Sequence, residues 1–350
     1  MRKSLFLLLA LILLCSHDLY IKMETYFLRP NQEATLSLYN GTFEKSENII
    51  TRDRLIDASI VAQGKRSPIQ TEKWQDKDTT ITQLPFTTGE AGTYVVGVST
   101  KARNIELNAE AFNSYLENDG VLDMIEQRKK DSAMNEDAVE SYQKHVKAIY
   151  QVGDTKTNDW STVLGYPIEF VPKANPYEKY SGEKLEVQLL LDGKPLSNQL
   201  VYANYIKNGA SHTHKNKNAE HTHGEETHSH THSHDESTDN HSHQEQNNGE
   251  NHTHTNGQQL RTDDQGYATV ELPEDGIYYL RTIYMTKVTD SEELTHQSKW
   301  ATLSFEVSHK HDESTHTHDH DHEGSFPTWV FILGSLFIIG LLFLVFRKRS

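Results

Sequence analysis

The sequence predicts an all-β ectodomain of two immunoglobulin-like antiparallel sandwiches, the first with an appended helical hairpin, and one C-terminal transmembrane helix. Three observations predict it. Short runs of β-branched and aromatic residues recur at regular spacing, separated by turn formers. One segment, Asn104 to Gln151, instead carries apolar residues at helical spacing. A single long apolar run, Trp329 to Phe346, lies near the C-terminus.

The first sandwich is expected over residues 17–155. Its strand candidates are Tyr26 to Leu28, Ala34 to Tyr39, Ile56 to Val61 and Thr93 to Val98. Turn signals such as Arg29-Pro30-Asn31, Asn40-Gly41 and Gln63-Gly64 punctuate them. The hairpin is placed at about 104–151. Leu107, Ala111, Phe112, Tyr115 and Leu116 share one helical face, with Gly120 as a stop. Val121 to Ile125 makes a short helix, and Ala138, Val139, Tyr142, Val146 and Ile149 make a second amphipathic one. The charges from Glu126 to Asp137 are read as a solvated connection between them, and His145 as a packing histidine.

Polar residues Asp154 to Asp159 mark the junction to a second sandwich, 156–308. Leu185, Val187, Leu189 and Leu191 alternate along a strand that ends at the hairpin signal Asp192-Gly193. Leu200 to Ile206, the segment from Leu260, Ala268 to Leu272, Ile277 to Met285 and Ala301 to Val307 continue the pattern. Between Ile206 and Leu260 lies a histidine-rich insertion, about 208–259, joining two consecutive strands. Loop-closure entropy grows only logarithmically with length, so such an insertion is tolerated.

The two ends predict the topology. Arg2-Lys3 followed by the apolar run Leu5 to Leu14 has the pattern of a secretory signal peptide, 1–16. Cleavage after Ser16 leaves His17 as the mature N-terminus, whose amine and imidazole can chelate one ion together; lipidation at Cys15 is the alternative. His17 is equally open to being merely the first residue of a strand. At the other end a tether, 309–326, leads to the span, 327–346, and a tail, 347–350, that holds Arg347-Lys348-Arg349. These charges set the C-terminus in the cytoplasm and the rest outside, periplasmic or at the cell surface.

Composition narrows the function. A net charge of −16 with neutral histidines argues against a nucleic-acid partner and favours cations. Once Cys15 is removed no thiol remains, so any metal site must use imidazole, carboxylate or backbone donors. The chain concentrates 18 of its 21 histidines in two tracts. The first holds His212, His214, His221, His223, His228, His230, His232, His234, His241, His243, His252 and His254; the second holds His309, His311, His316, His318, His320 and His322. In an extended chain residues i and i+2 point to one side, so His-x-His offers two imidazoles to one ion. Imidazole suits Ni, Co, Zn and Cu alike. Nothing pre-organises these ligands, so the pattern predicts several exchangeable, pH-dependent sites rather than a catalytic centre. No phosphate loop, zinc-protease helix or nucleophile elbow occurs, and no enzyme activity is expected.

The chain also resembles a family of secreted two-sandwich proteins of unknown function that are linked to nickel and cobalt uptake as periplasmic accessory components. The resemblance rests on His17-Asp18-Leu19-Tyr20, Phe112-Asn113-Ser114-Tyr115-Leu116 with Glu140 to Tyr150, and Gly165 to Pro172 leading to Asn175-Pro176-Tyr177. Asp192 to Leu196, Thr262 to Gly266 and Trp300 to Phe305 complete it. It implies an exported metal-handling protein with β-sandwich domains, and adds weight to His17 as a ligand. The expected function is a membrane-anchored binding protein that collects divalent Ni, Co or Zn and supports their uptake by a membrane transporter. The alternatives are a storage or detoxification sponge, and a surface adhesion or structural sandwich whose histidine tracts are incidental.

Overall fold

A computed structural model describes residues 18–207 and 255–310. Nineteen strands and two α-helices are defined among them. In chain order these are β1 (Asp18–Lys22), β2 (Phe27–Leu28), β3 (Glu33–Gly41), β4 (Ser46–Asn48), β5 (Leu55–Ala62), β6 (Lys65–Pro68), β7 (Gln75–Lys77), β8 (Ile81–Thr87), β9 (Gly92–Thr100) and β10 (Arg103–Leu107). Then come α1 (Ala109–Asn118), α2 (Leu122–Lys130), β11 (Ala138–Val152), β12 (Ile168–Pro172), β13 (Glu183–Leu191), β14 (Lys194–Pro195), β15 (Leu200–Lys207), β16 (Gln258–Arg261), β17 (Tyr267–Leu272), β18 (Gly276–Lys287) and β19 (His296–Val307).

The strands form three sheets. The largest has ten, ordered β16-β15-β18-β19-β11-β9-β5-β6, with β2 and β10 also on β11. One face of it is covered by the five-stranded sheet of β1, β3, β4, β7 and β8, the other by the four-stranded sheet of β12, β13, β14 and β17. The large sheet does not break at 155/156: β11 runs parallel to β19 from Glu140↔His296 to Ala148↔Ser304. Strands from both halves of the chain therefore share one hydrogen-bonded layer and one apolar core, from Leu19 and Val146 to Leu189 and Phe305. The architecture is β-sandwich with two short helices.

Three sequence expectations are corrected here. The predicted second helix of the hairpin is β11, a 15-residue strand. Its apolar residues fall at helical intervals because both of its faces are buried, which removes the apolar–polar alternation that marks a half-exposed strand. Polar residues occupy the gaps: Glu140 and Lys144 face the five-stranded sheet and the helices, while His145 and Lys147 face the four-stranded sheet. Second, α2 continues to Lys130 through charges read as a solvated link. Arg128 is buried there, donating from Nε to Asn113 Oδ1 at 2.9 Å and from Nη2 to the Glu136 carbonyl at 2.7 Å. Basic residues in the last turn also suit the helix dipole. Third, Leu107, expected on the face of the first helix, ends β10, and α1 begins only at Ala109; there the Asn108 side chain accepts from Ala111 N, and Phe112, Tyr115 and Leu116 are buried as expected.

The histidine-rich insertion leaves from β15 and returns on β16, and these two strands pair antiparallel from Leu200↔Arg261 to Ala203↔Gln258. The inserted residues, the expected signal peptide, the second tract beyond Lys310 and the expected span at 327–346 lie outside the described residues. Among the described residues no helix is long and apolar enough to cross a membrane.

Candidate functional site

Of the histidines expected to bind metal, His309 alone lies among the described residues. It follows the end of β19, and its Nδ1 meets Asp275 Oδ2 in an exposed pair, while Ser181 donates to Asp275 Oδ1 at 2.7 Å. Among the described residues no group of three or more His, Cys, Asp or Glu side chains is arranged to hold a metal ion. His17 and the other seventeen predicted ligands lie outside them.

What the structure does assemble is a buried polar centre around the start of β1. Asp18 is 1% exposed, although it is a carboxylate at the beginning of a strand. Pairing with β3 holds one edge of β1, Asp18↔Gly41 to Lys22↔Ser37. Its other carbonyls are taken by hydroxyls of β19: Thr302 donates to Leu19 O at 2.8 Å and Ser304 to Ile21 O at 2.7 Å. This fixes Asp18 against Arg281 of β18, with 2.6 Å between Nε and Oδ2. Tyr20 donates to the same oxygen at 3.0 Å. The Arg281 guanidinium also donates to the Asp119 carbonyl at 2.9 Å, past the end of α1, and lies 3.9 Å from its carboxylate. Burial opposes the charge of Arg281, but Asp18, Tyr20 and Asp119 hold its pKa above the ordinary value.

Beside this pair, Glu140 accepts from Tyr115 at 3.2 Å and from Ser298, whose oxygen in turn accepts from Trp300 Nε1 at 2.8 Å. Burial raises the Glu140 carboxyl to about 7, against the pull of those donors. Lys144, two residues along the same face, donates to Asn40 Oδ1 at 3.0 Å, and burial lowers its amine to about 8 although Asp18 opposes the shift. Gly120 closes the centre. Its φ is +69°, and a Cβ there would lie 2.3 Å from the Tyr202 hydroxyl, so both its conformation and its lack of side chain are needed. A cavity of about 210 Å3 opens beside Asp119, lined also by Asp123, Asn198, Gln199 and Tyr202.

On the opposite face of β11 a second buried pair explains one motif behind the sequence resemblance. Lys147 and Glu169 are each 1% exposed and 2.9 Å apart. Glu169 also accepts from the backbone of Leu164, Gly165 and Tyr166, at 3.0, 2.8 and 3.2 Å, and Lys147 donates to Thr162 O at 3.0 Å. The stretch from Gly165 to Glu169 is thus a loop folded around its own carboxylate. Asn175 caps the next turn at Tyr177 N, and the Tyr177 hydroxyl reaches Ile149 O. These motif residues hold the fold together.

The two described histidines outside the tracts are buried. His145 shares a hydrogen bond with Ser99 at 2.9 Å, as its packing role required, and His296 sits 4.7 Å from the Phe112 ring. Burial, then nearby cations, lowers both to about 4. The unfolded chain, with ordinary imidazoles near 6.5, therefore takes up protons first as pH falls. Their contribution is intact above pH 6.5 and is lost as pH falls from there to about 4, by up to about 3 kcal/mol each. Urea midpoints at pH 7 and pH 4.5 should differ accordingly, and His145→Gln should narrow the gap; an equal gap in the variant would exclude His145 as a source.

The sequence pattern did not disclose the buried centre. The available signal was charge at strand positions that should be apolar: Arg281 within Ile277 to Met285, and Asp18 before Leu19-Tyr20-Ile21. Glu140 and Lys144 were hidden by the helical assignment of β11.

No curated protein matches the chain. Solved structures that resemble it include the D0-D1 domain of Intimin, at 10% identity over 82% of this chain and 97% of that one, TM-score 0.16. The Yersinia pseudotuberculosis adhesin InvE follows at 9% identity over 83% and 58%, TM-score 0.18, and Escherichia coli alpha-2-macroglobulin at 9% over 84% and 22%, TM-score 0.20. Scores this low carry no argument about fold or activity. The family model described as a domain of unknown function, DUF4198, matches residues 14–286, which contain Asp18, Asn40, Asp119, Glu140, Lys144 and Arg281, and the chain belongs to that family.

Proposed function

We propose that the protein is a membrane-anchored binding protein that collects divalent transition-metal ions outside the cytoplasm, nickel or cobalt with zinc as the competitor, and supports their uptake by a membrane transporter. One observation carries this: the longer histidine tract is inserted between strands that pair in register without it. That pairing is made by residues that flank the tract, Leu200 to Ala203 with Gln258 to Arg261, so the tract's composition answers to its own chemistry. Twelve imidazoles and eight carboxylates against two lysines favour divalent cations. The second tract lies within about twenty residues of the expected span, which would keep bound ions beside a transporter in the same membrane. His17 adds a chelate of a different kind, one peptide bond from the anchored Asp18.

Calorimetric titration of the ectodomain with Ni, Co, Zn and Cu, with and without residues 208–254, tests this. The intact chain should bind several ions and the deletion should lose most of them while staying folded, since each halving of a loop lowers its closure cost by only about 0.6 kcal/mol. If neither form takes up any of the four ions below ~100 μM, the metal function is excluded. In cells, loss of the protein should impair growth at low metal; impairment only at high metal would point to storage instead.

A further inference from the structure

The contact between Lys144 and Asn40 joins two sheets. Lys144 lies on β11, at the middle of the ten-stranded layer; Asn40 lies near the end of β3, in the five-stranded layer that covers it. Both are buried, and 3.0 Å separates Nζ from Oδ1. The amine is also walled by aromatic rings, 5.2 Å from the centre of Trp300 and 5.6 Å from that of Tyr142. The Asn40 backbone is fixed in turn: its N–H donates to Ser46 Oγ at 3.0 Å, and Ser46 donates to Thr80 O at 2.7 Å. A primary amine is therefore held against a carboxamide in a dry site. A C=O bond is about 1.2 Å long, so Nζ starts within about 4.2 Å of the amide carbon, one side-chain adjustment from attack distance.

We propose that Lys144 and Asn40 form an autocatalytic intramolecular amide cross-link that ties β11 to β3. The neutral ε-amine attacks Asn40 Cγ and a new N–C bond forms. A proton passes from Nζ to the amide nitrogen, the Cγ–Nδ2 bond breaks, and ammonia leaves. No oxidant, metal or co-reactant enters. Burial favours the reactive forms: the amine is lowered to about 8, and Glu140, on the same face of β11, is raised to about 7 and so carries a proton to relay near neutrality. Lys147 offers the contrast. It is equally buried, but it faces the Glu169 carboxylate, which is no electrophile. Metal binding plays no part in this inference.

Intact-mass measurement of the full-length chain is the test, followed by peptide mapping. The processed chain should weigh about 17 Da less than its sequence, one ammonia lost, and a branched peptide should join the Asn40 and Lys144 segments. Asn40 precedes Gly41, so cyclisation to a succinimide would lose the same mass. Lys144→Arg separates the two, because it abolishes the cross-link and leaves the succinimide route open. A wild-type chain of unmodified mass after prolonged incubation at pH 8–9 overturns the proposal. So does a deficit that persists in K144R with no branched peptide in the wild type.

Discussion

Glu169→Gln should lower the free energy of unfolding by about 3–5 kcal/mol, the usual consequence of removing one partner of a fully buried ion pair. Lys147 and Glu169 are both 1% exposed, so neither charge can turn to water when the other is neutralised. The glutamine also replaces one carboxylate oxygen with an amide nitrogen. That nitrogen would face either the Gly165 and Tyr166 N–H groups or the Lys147 amine and Leu164 N–H, all of them donors. Urea unfolding of the protein reads the loss. The double variant Lys147→Met, Glu169→Leu should recover much of it, because two apolar groups of similar size leave no stranded charge. A single-variant loss under about 1 kcal/mol would mean that the pair is not desolvated in solution.

Arg281→Met should be of comparable size, about 3–5 kcal/mol, for a related reason. The guanidinium serves Asp18, the Asp119 carbonyl and the Asp119 carboxylate from one position, and methionine fills the space while serving none of them. Its effect should also be local. The N-terminal strand β1 is anchored by Asp18 at its first residue, so hydrogen exchange should speed up in β1 and at the end of α1 before the ten-stranded sheet loosens. Uniform acceleration across β11 and β19 would instead make Arg281 a support of the whole core.

Much of the β framework was legible in the sequence because turn chemistry and alternation are local. Asp192-Gly193 adopts positive φ at both residues, 49° and 76°, as a two-residue hairpin requires. Asp263 accepts from Gln265 N and Tyr267 N, closing the turn expected before the Ala268 strand. Local signals misled at β11. A strand buried on both faces has no reason to alternate, and Ala138, Val139, Tyr142, Val146 and Ile149 fit a helix equally well.

The sequence by itself determined the regular short strands, the placement of the histidine tract between β15 and β16, and the concentration of imidazoles that carries the proposed function. It could do so because period, turn type and composition are properties of neighbouring residues. Only the tertiary structure decided that β11 and β19 lie side by side, because that pairing joins residues more than 150 positions apart. The same pairing brings Ser298 and Trp300 to Glu140, and packing of the five-stranded sheet on that layer brings Asn40 to Lys144 and Asp18 to Arg281. Buried charges are stable only with partners, and partners this distant in sequence are chosen by the fold.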